Sequence, residues 1–227
     1  MYDVLKHGSL GISFIGIAET MKCLTGYHHA ENNDSLDLAI ALVKFMCDKA
    51  DEASELHDLN FALLATPAEG LTGKFLGVCR KEYGIIEGMT DKEWLTNSYH
   101  VPVEFPISLF EKVEIEGHFI KYCAGGNITY VELSEIPMDN PEAIYSIVSH
   151  MHDNDIALGA INFPTNTCLT CGLTGSFREC NCPNCGSDKV ESMGRITGYL
   201  AKTDNFNYAK REEFKNRFKH MQMLTRR

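Results

Sequence analysis

Five cysteines lie within 18 residues of one another, and four of them have the spacing of a metal site. Cys168 and Cys171 form one Cys-x-x-Cys pair, Cys182 and Cys185 form a second, and a glycine follows each pair. Two tight turns of this kind present four thiolates to one tetrahedral ion, and a closed set of four soft ligands favours zinc in a structural role. Cys180 is interpreted as a spare thiol, because Cys182 keeps the two-residue spacing to its partner. The alternative is a pair of labile disulfides or a redox pair.

The chain has 227 residues and nine cysteines, an odd number. The N-terminus lacks the basic-then-apolar pattern of a signal peptide, so reduced thiols in the cytoplasm are expected rather than a disulfide framework. The four cysteines outside the cluster have mostly apolar neighbours in the sequence, and we predict that they are buried, inert thiols. They are Cys23, Cys47, Cys79 and Cys123.

A glycine-containing segment follows the cysteine cluster and is a second candidate functional site. Residues 194–200 read Gly-Arg-Ile-Thr-Gly-Tyr-Leu. Taken alone, this pattern predicts only a glycine in a turn.

The elements that must position these residues follow an alternating pattern of strands and helices, which predicts an α/β domain with parallel strands. About five strand units are expected before the cysteine cluster. We predict strands or packed apolar segments at 8–18, 60–66, 99–103, 128–133 and 155–163, with 119–123 and 128–133 flanking a hairpin or glycine-lined loop at Gly125-Gly126. We predict helices from the Asn33-Asp34-Ser35 caps to His57, from Asn140-Pro141 onwards, and at 212–219 with Phe214 and Phe218 facing inward.

Composition excludes several classes of protein. The chain has 21 basic and 31 acidic residues, a net charge of −10, and 44% apolar residues, which is ordinary for a globular protein. The acidic balance argues against direct binding to nucleic acid. No apolar run approaches the roughly 20 residues that a membrane helix needs.

In this setting, residues 194–200 resemble the glycyl-radical loop of the glycyl-radical enzymes, whose pattern is Arg, two residues, Gly and Tyr. The four cysteines before it and Asn-Tyr-Ala-Lys-Arg-Glu-Glu-Phe at 207–214 narrow the resemblance to the large subunit of the anaerobic (class III) ribonucleoside-triphosphate reductases. Further segments agree with that family along the whole chain, at 5–8, 14–19, 64–70, 97–103 and 125–132.

The resemblance implies a fold and a division of the chain. It implies an α/β protein in which residues 1–163 form the C-terminal half of a ten-stranded α/β barrel. A four-cysteine zinc module at 164–190 would follow, and then a C-terminal glycyl-radical loop and tail at 191–227.

The resemblance also implies a chemistry for two residues. Gly198 would store a radical on its Cα and pass it to a cysteine, whose thiyl abstracts the 3′-hydrogen of the ribose. Glycine suits this role because its Cα is unshielded and can become planar. Glu69, at the end of a predicted strand, could hydrogen-bond a ribose hydroxyl or assist proton transfer, and an N-cap or a solvated acid explains it equally well. His100 is interpreted as a packed, hydrogen-bonded histidine rather than a base.

The partners implied by the family are a ribonucleoside triphosphate, further copies in a homo-oligomer, and a radical-SAM activase that carries S-adenosylmethionine and an iron–sulfur cluster. The family's ATP-binding cone, the first half of its barrel and the finger loop with the thiyl cysteine have no counterpart in this sequence. We therefore expect that this chain is not a reductase by itself. It is either one subunit of a split enzyme, completed by a complementary N-terminal half, or a truncated product of a larger gene. The alternatives are a spare-part protein that restores a radical domain to an oxygen-damaged enzyme, and a zinc-ribbon interaction module.

Overall fold

The computed structural model describes residues 2–135, 137, 140–177 and 181–220. Cys180 and the last seven residues therefore lie outside the described part of the chain. In chain order, the helices and strands are α1 (Tyr2–His7), β1 (Ser9–Phe14), α2 (Ile17–Thr25), α3 (Asn33–His57), β2 (Asn60–Ala65), α4 (Gly70–Tyr83), α5 (Leu109–Ile120), β3 (Thr129–Glu132), α6 (Pro141–Asp153), β4 (Gly159–Asn162), β5 (Thr165–Cys168), β6 (Thr174–Gly175), β7 (Val190–Arg195), β8 (Leu200–Lys202) and α7 (Tyr208–Asn216).

The first four strands pair in parallel, which confirms the predicted α/β class. Strand β1 pairs with β2, and β3 pairs with β4. The two pairs meet where Leu64 of β2 bridges Gly126, just before β3. The carboxyl ends of β2, β3 and β4 therefore point to the same side of the fold, where α/β proteins place their functional residues.

Gly125 shows why this junction needs glycine. A Cβ on Gly125 would lie 2.8 Å from the carbonyl oxygen of Leu63 in β2, closer than real Cβ atoms come. The Gly125 amide donates to that same oxygen at 2.9 Å. The glycine lets two backbone segments approach each other, and no hairpin is needed to explain it.

Helices cover these strands and form two apolar cores. One core joins α2, α3, β2 and α5, and within it the rings of Tyr99 and Phe119 stack with centroids 5.1 Å apart. The other joins α5, β3 and α6 around Val113, Val131 and Ile147, all fully buried. Together they hold α5 and the strand ends in fixed positions.

Capping residues in the sequence predict the boundaries of two helices correctly or to within one residue. The side chain of Asn32 accepts a hydrogen bond from the Ser35 amide and caps α3, one residue before the predicted caps, and α3 ends at His57 as predicted. Asn140 caps α6 through the Ala143 amide, with Pro141 in the first turn. The strand predicted at 155–163 is shorter and spans Gly159–Asn162.

Two predicted elements were wrong, and a third is present but displaced. Residues 99–103 are turns and irregular backbone rather than a strand. Residues 119–123 complete α5 and a following turn, so they form no hairpin with β3, which pairs with β4 instead. The C-terminal helix spans Tyr208–Asn216, so Phe218 lies beyond its end.

Burial also differs from expectation in two places. Strand β1 is largely exposed, with Leu10 and Ile12 at 58% and 41% relative accessibility. Of the four scattered cysteines, Cys123 is buried as predicted, Cys47 and Cys79 are half-buried, and Cys23 is exposed. The apolar neighbours of Cys23 in the sequence therefore do not cover its thiol.

A separate antiparallel sheet carries the cysteines and the glycine motif. Its strand order is β6-β5-β7-β8. Strand β5 ends at Cys168, and β7 runs from the cysteine cluster to Arg195, where the glycine motif begins. One strand thus connects the four-cysteine cluster directly to the candidate radical loop.

Candidate functional site

The four predicted ligand cysteines converge on one point. The sulfur atoms of Cys168, Cys171, Cys182 and Cys185 all lie within 4.8 Å of one another. The Cys168–Cys185 and Cys171–Cys182 sulfur pairs are each 3.6 Å apart. Tetrahedral zinc with Zn–S bonds of about 2.3 Å would place its sulfurs about 3.8 Å apart, so the residues fit this ion closely.

The backbone around the cysteines is shaped for thiolates. Gly172 and Gly186 take left-handed φ angles of 76° and 72°, and their amides donate to the carbonyls of Cys168 and Cys182. A hydrogen bond from the Asn184 side chain, helped by the Leu173 amide, lowers the pKa of Cys171 to about 6. The turns predicted from the Cys-x-x-Cys-Gly spacing are therefore present, and the contacts of Cys171 favour its ionised form. The pKa of Cys185 moves the other way: the Ser187 amide lowers it, but burial and the three other sulfurs outweigh that and raise it to about 12.

The glycine motif forms the turn between β7 and β8, and we call residues 196–199 the Gly198 loop. It lies over the carboxyl ends of β2, β3 and β4. Tyr130 of β3 donates from its hydroxyl to the Thr197 carbonyl at 2.7 Å. Asn162, the last residue of β4, accepts from the Arg195 guanidinium at 3.0 Å. The Thr197 hydroxyl donates to the Ala68 carbonyl, just after β2, at 3.3 Å.

Arg217, just after α7, is the central cation beneath the Gly198 loop. Its guanidinium donates to the carbonyls of Arg195 and Ile196 at 3.0 and 2.9 Å. It also pairs with the Glu132 and Glu213 carboxylates at 3.1 and 3.0 Å. Burial alone would lower the pKa of Arg217, but these two carboxylates outweigh burial and raise it. The guanidinium therefore stays charged and joins the loop to β3 and α7.

Gly198 itself is exposed and is not required as glycine by the local structure. Its φ lies outside the left-handed region, and a Cβ placed on it would meet nothing within 4 Å. Gly194, four residues earlier, is the opposite case, because a Cβ there would lie 2.7 Å from the ring of Phe214. Packing therefore explains Gly194 but not Gly198.

Glu69 lies beside the Gly198 loop. It occupies the N-cap position of α4, but its side chain makes no capping hydrogen bond. Its carboxylate instead accepts from the Tyr199 hydroxyl at 3.3 Å, and its charge raises the pKa of that phenol. The structure thus places Glu69 next to the residue that follows Gly198.

A buried ion cluster lies under the same strand ends. Glu116 is fully buried, with the Lys112 ammonium at 2.5 Å and the His100 ring nitrogen at 3.2 Å. Burial would raise the pKa of Glu116, but Lys112 and His100 outweigh it and hold the value at about 2. His100 is packed, as predicted, but its Nδ1 lies 3.2 Å from the Glu116 carboxylate without the geometry of a hydrogen bond. It borders a cavity of about 50 Å³ that also reaches Tyr130 and Thr197.

Comparison of the sequence with known proteins identifies the family of this chain. A sequence model of the family described as anaerobic ribonucleoside-triphosphate reductase matches residues 1–220. The chain belongs to this family. It is 34% identical to the anaerobic ribonucleoside-triphosphate reductase of Haemophilus influenzae and 30% identical to that of Enterobacteria phage T4. Each alignment covers 96% of this chain, but 32% and 36% of those relatives, so the chain spans about a third of their length.

Solved structures of the family share the fold. An anaerobic ribonucleotide reductase superposes with a TM-score of 0.75 over 93% of this chain and 34% of its own, at 22% identity. The enzyme from Thermotoga maritima, solved with dATP in its specificity site, gives a TM-score of 0.73 over 90% and 33%, at 20% identity. Among the described residues, no helix has the length and apolar character needed to cross a membrane.

Several residues of this site were not found from the sequence. Tyr130, Asn162 and Arg217 all contact the Gly198 loop or the residue that precedes it, yet none belongs to the glycine motif. Tyr130 lies 67 residues from its partner Thr197, and Arg217 lies 85 residues from Glu132. The one signal available was that Glu132 and Asn162 lie near the carboxyl ends of predicted strands, and Tyr130 lies within one of these strands.

Proposed function

We propose that this chain is the glycyl-radical-bearing part of an anaerobic ribonucleoside-triphosphate reductase, which reduces ribonucleoside triphosphates to deoxyribonucleoside triphosphates. The observation that supports this most directly is Gly198. It lies in a loop anchored on β3, on the end of β4 and on the segment after β2, yet neither backbone strain nor packing requires a glycine there. A chemical need for a bare Cα explains the residue, and radical storage is such a need.

The step assigned to Gly198 is the loss of one hydrogen atom from its Cα. The 5′-deoxyadenosyl radical of a radical-SAM activase takes the hydrogen and becomes 5′-deoxyadenosine, so one C–H bond breaks and one forms. The unpaired electron left on Gly198 is shared with its amide nitrogen and its carbonyl. The exposed face of Gly198 leaves its Cα accessible for this transfer.

The four-cysteine site precedes β7 and the Gly198 loop follows it, so the cysteine site holds the strand that leads into the loop. Zinc bound there would cross-link the two cysteine turns and supply rigidity rather than catalysis. Because β7 begins five residues after Cys185 and ends at Arg195, a rigid cysteine module fixes where the Gly198 loop starts. We assign Cys168, Cys171, Cys182 and Cys185 as the metal ligands.

Glu69 is proposed as a substrate-side residue of this centre. Its carboxylate reaches Tyr199, and it follows β2 on the side of the fold where the strands end. In the assembled enzyme it would hydrogen-bond a ribose hydroxyl or assist a proton transfer. The cavity-facing His100 is interpreted as a packing residue, since it is buried and its ring packs against the rings of Tyr99 and Tyr130.

We propose that the rest of the active site comes from a complementary part of the enzyme. Residues 1–163 would form half of a ten-stranded barrel, 164–190 the zinc module, and 191–227 the radical loop and tail. The exposed strand β1 and the exposed Gly198 support this division, because a completing half would cover both. The thiyl cysteine, the substrate triphosphate site and the contacts of a homo-oligomer belong to that assembled form.

The comparisons favour this proposal over a spare-part radical protein or a zinc-ribbon module. The family match extends through residues 1–220 and so includes the strands and helices as well as the loop. A replacement for the loop alone would not need those elements.

Electron paramagnetic resonance tests the proposal directly. The full chain is incubated anaerobically with a radical-SAM activase, S-adenosylmethionine and a reductant. We expect a glycine-centred doublet that is absent in Gly198→Ala and present in Gly175→Ala, a matched variant at a second glycine whose Cβ also meets open space. A wild-type chain that gives no doublet, or a doublet that persists in Gly198→Ala, would refute the assignment.

A further inference from the structure

The backbone of the Gly198 loop is held almost entirely through its carbonyl oxygens. Four consecutive carbonyls, from residue 195 to residue 198, each accept a hydrogen bond from a side chain. Arg217 donates to the first two at 3.0 and 2.9 Å, Tyr130 to the Thr197 carbonyl at 2.7 Å, and Arg195 to the Gly198 carbonyl at 3.4 Å. Loops usually satisfy such groups with water, so this segment is unusually constrained.

Two of these carbonyls belong to the peptide groups that flank the Gly198 Cα. The Thr197 carbonyl is part of the amide that ends in the Gly198 nitrogen, and the Gly198 carbonyl follows the Cα directly. Tyr130 therefore holds the peptide group on the amino side of the Cα. Arg195, itself fixed by Asn162, holds the peptide group on the carboxyl side.

We propose that Tyr130 is a positioning residue for the Gly198 radical, and this inference rests on the function proposed above. By holding the Thr197–Gly198 peptide group in place, its hydroxyl sets how that group is oriented relative to the half-filled orbital on the Cα. It thereby controls how long the radical persists.

The surroundings of Tyr130 suit this role. It lies on β3, between the buried residues Thr129 and Val131, so its backbone cannot shift freely. Its ring packs against His100 with centroids 5.3 Å apart. Burial raises the pKa of the phenol well above its ordinary value, so the hydroxyl keeps its proton and remains a donor throughout the neutral range.

The chemistry gives the hydrogen bond a measurable effect on the radical. A donor on the Thr197 carbonyl increases the double-bond character of the following C–N bond and draws the nitrogen lone pair away from the Cα. Removing that donor changes the share of unpaired spin on the Cα, and this share sets the doublet splitting from the remaining α-hydrogen. Removal also frees the loop to open.

The test uses Tyr130→Phe in the full chain, with Tyr145→Phe as the matched control. Tyr145 lies on α6 and is 75% exposed, so its variant loses a hydroxyl far from the loop. Three quantities are compared with the wild type: the splitting and half-life of the glycine doublet, the amide hydrogen exchange of residues 196–199, and the melting temperature. Loss of one hydrogen bond predicts roughly 5-fold faster amide exchange and a radical half-life shorter by a similar factor.

The outcomes separate this inference from the proposed function. A changed splitting with a shorter half-life in Tyr130→Phe, and no change in Tyr145→Phe, supports the positioning role. A normal wild-type doublet that is unchanged in Tyr130→Phe overturns the inference and leaves the proposed function intact, even if the melting temperature falls. A wild-type chain without any doublet overturns both.

Discussion

Replacing Gly198 by alanine is the sharpest perturbation that the structure offers, because it separates chemistry from stability. A Cβ at this position meets no atom within 4 Å, and φ is compatible with an ordinary L-residue. Alanine at such a site stabilises a protein by about 0.4–1 kcal/mol, chiefly because the unfolded chain has fewer conformations. For a chain of this size that is a rise in melting temperature of about 1–4 °C.

Gly194→Ala is the matched control, four residues away in the same hairpin. Its Cβ would lie 2.7 and 2.9 Å from two ring carbons of Phe214, where carbon contacts are ordinarily about 3.5–4.0 Å. That ring cannot move aside easily, since Phe206 packs edge-on at 5.4 Å and the Arg217 guanidinium lies 5.1 Å from its centre. Overpacking of this kind costs about 1–3 kcal/mol, which lowers the melting temperature by about 2–12 °C.

The assay is a thermal melt followed by circular dichroism, run on both variants and the wild type, beside the electron paramagnetic resonance measurement. We expect Gly198→Ala to melt at or slightly above the wild type while losing the radical. A fall of more than about 3 °C in Gly198→Ala would mean that glycine is needed there for structure. The absence of a side chain would then no longer point to radical chemistry.

Three further predictions concern the metal site, the buried cation and pH. Elemental analysis should find one zinc per chain, and a chelator should increase amide exchange in β5 to β7 while sparing α3. Arg217→Met should cost about 3–5 kcal/mol in denaturant unfolding, because it removes the buried cation that Glu132 and Glu213 share and leaves Glu132 with Lys219 alone and Glu213 with Lys210 alone. Burial, helped by the neighbouring His28, lowers the pKa of His29 to about 4. The stability that the neutral His29 contributes above pH 6.5 should therefore fall by about 3 kcal/mol as pH drops to 4. Urea titrations across this range should show a weaker pH dependence in His29→Leu.

Each of these has an outcome that would contradict it. A chain that folds fully with oxidised cysteine pairs and no metal would favour disulfides over zinc. Lys215→Met removes an exposed cation paired with Glu212, so a loss as large as that of Arg217→Met would show that burial of the pair is not the cause. A wild-type stability that stays constant between pH 6.5 and 4 would mean that His29 is not held neutral by the fold.

The features that could be predicted from the sequence are those encoded by neighbouring residues. The Cys-x-x-Cys-Gly turns, the Asn140-Pro141 helix start and the parallel class of the sheet all depend on short-range spacing, and the structure has them. The apolar segment at 119–123 was misassigned because its residues also complete the buried face of α5, where a helical period and a short apolar run look alike.

The residues that hold the Gly198 loop could not be predicted in this way. Tyr130 and Arg217 lie in ordinary surroundings in the sequence, and their roles arise only when β3 and α7 meet the loop. Glu69 is an intermediate case, since its place after a strand was evident but its contact with Tyr199 was not. Long-range polar contacts depend on the completed fold, and no short-range pattern encodes them.

The position of Arg217 in the chain has a consequence for synthesis. The ribosome delivers the chain from its amino end at about 5–20 residues per second, and segments fold as they emerge. The strands, the cysteine turns and Gly198 itself all emerge before residue 217, whose guanidinium holds the carbonyls of residues 195 and 196. The loop therefore reaches its final shape only after nineteen further residues have been added, so the Gly198 loop is among the last parts of this fold to be fixed in place.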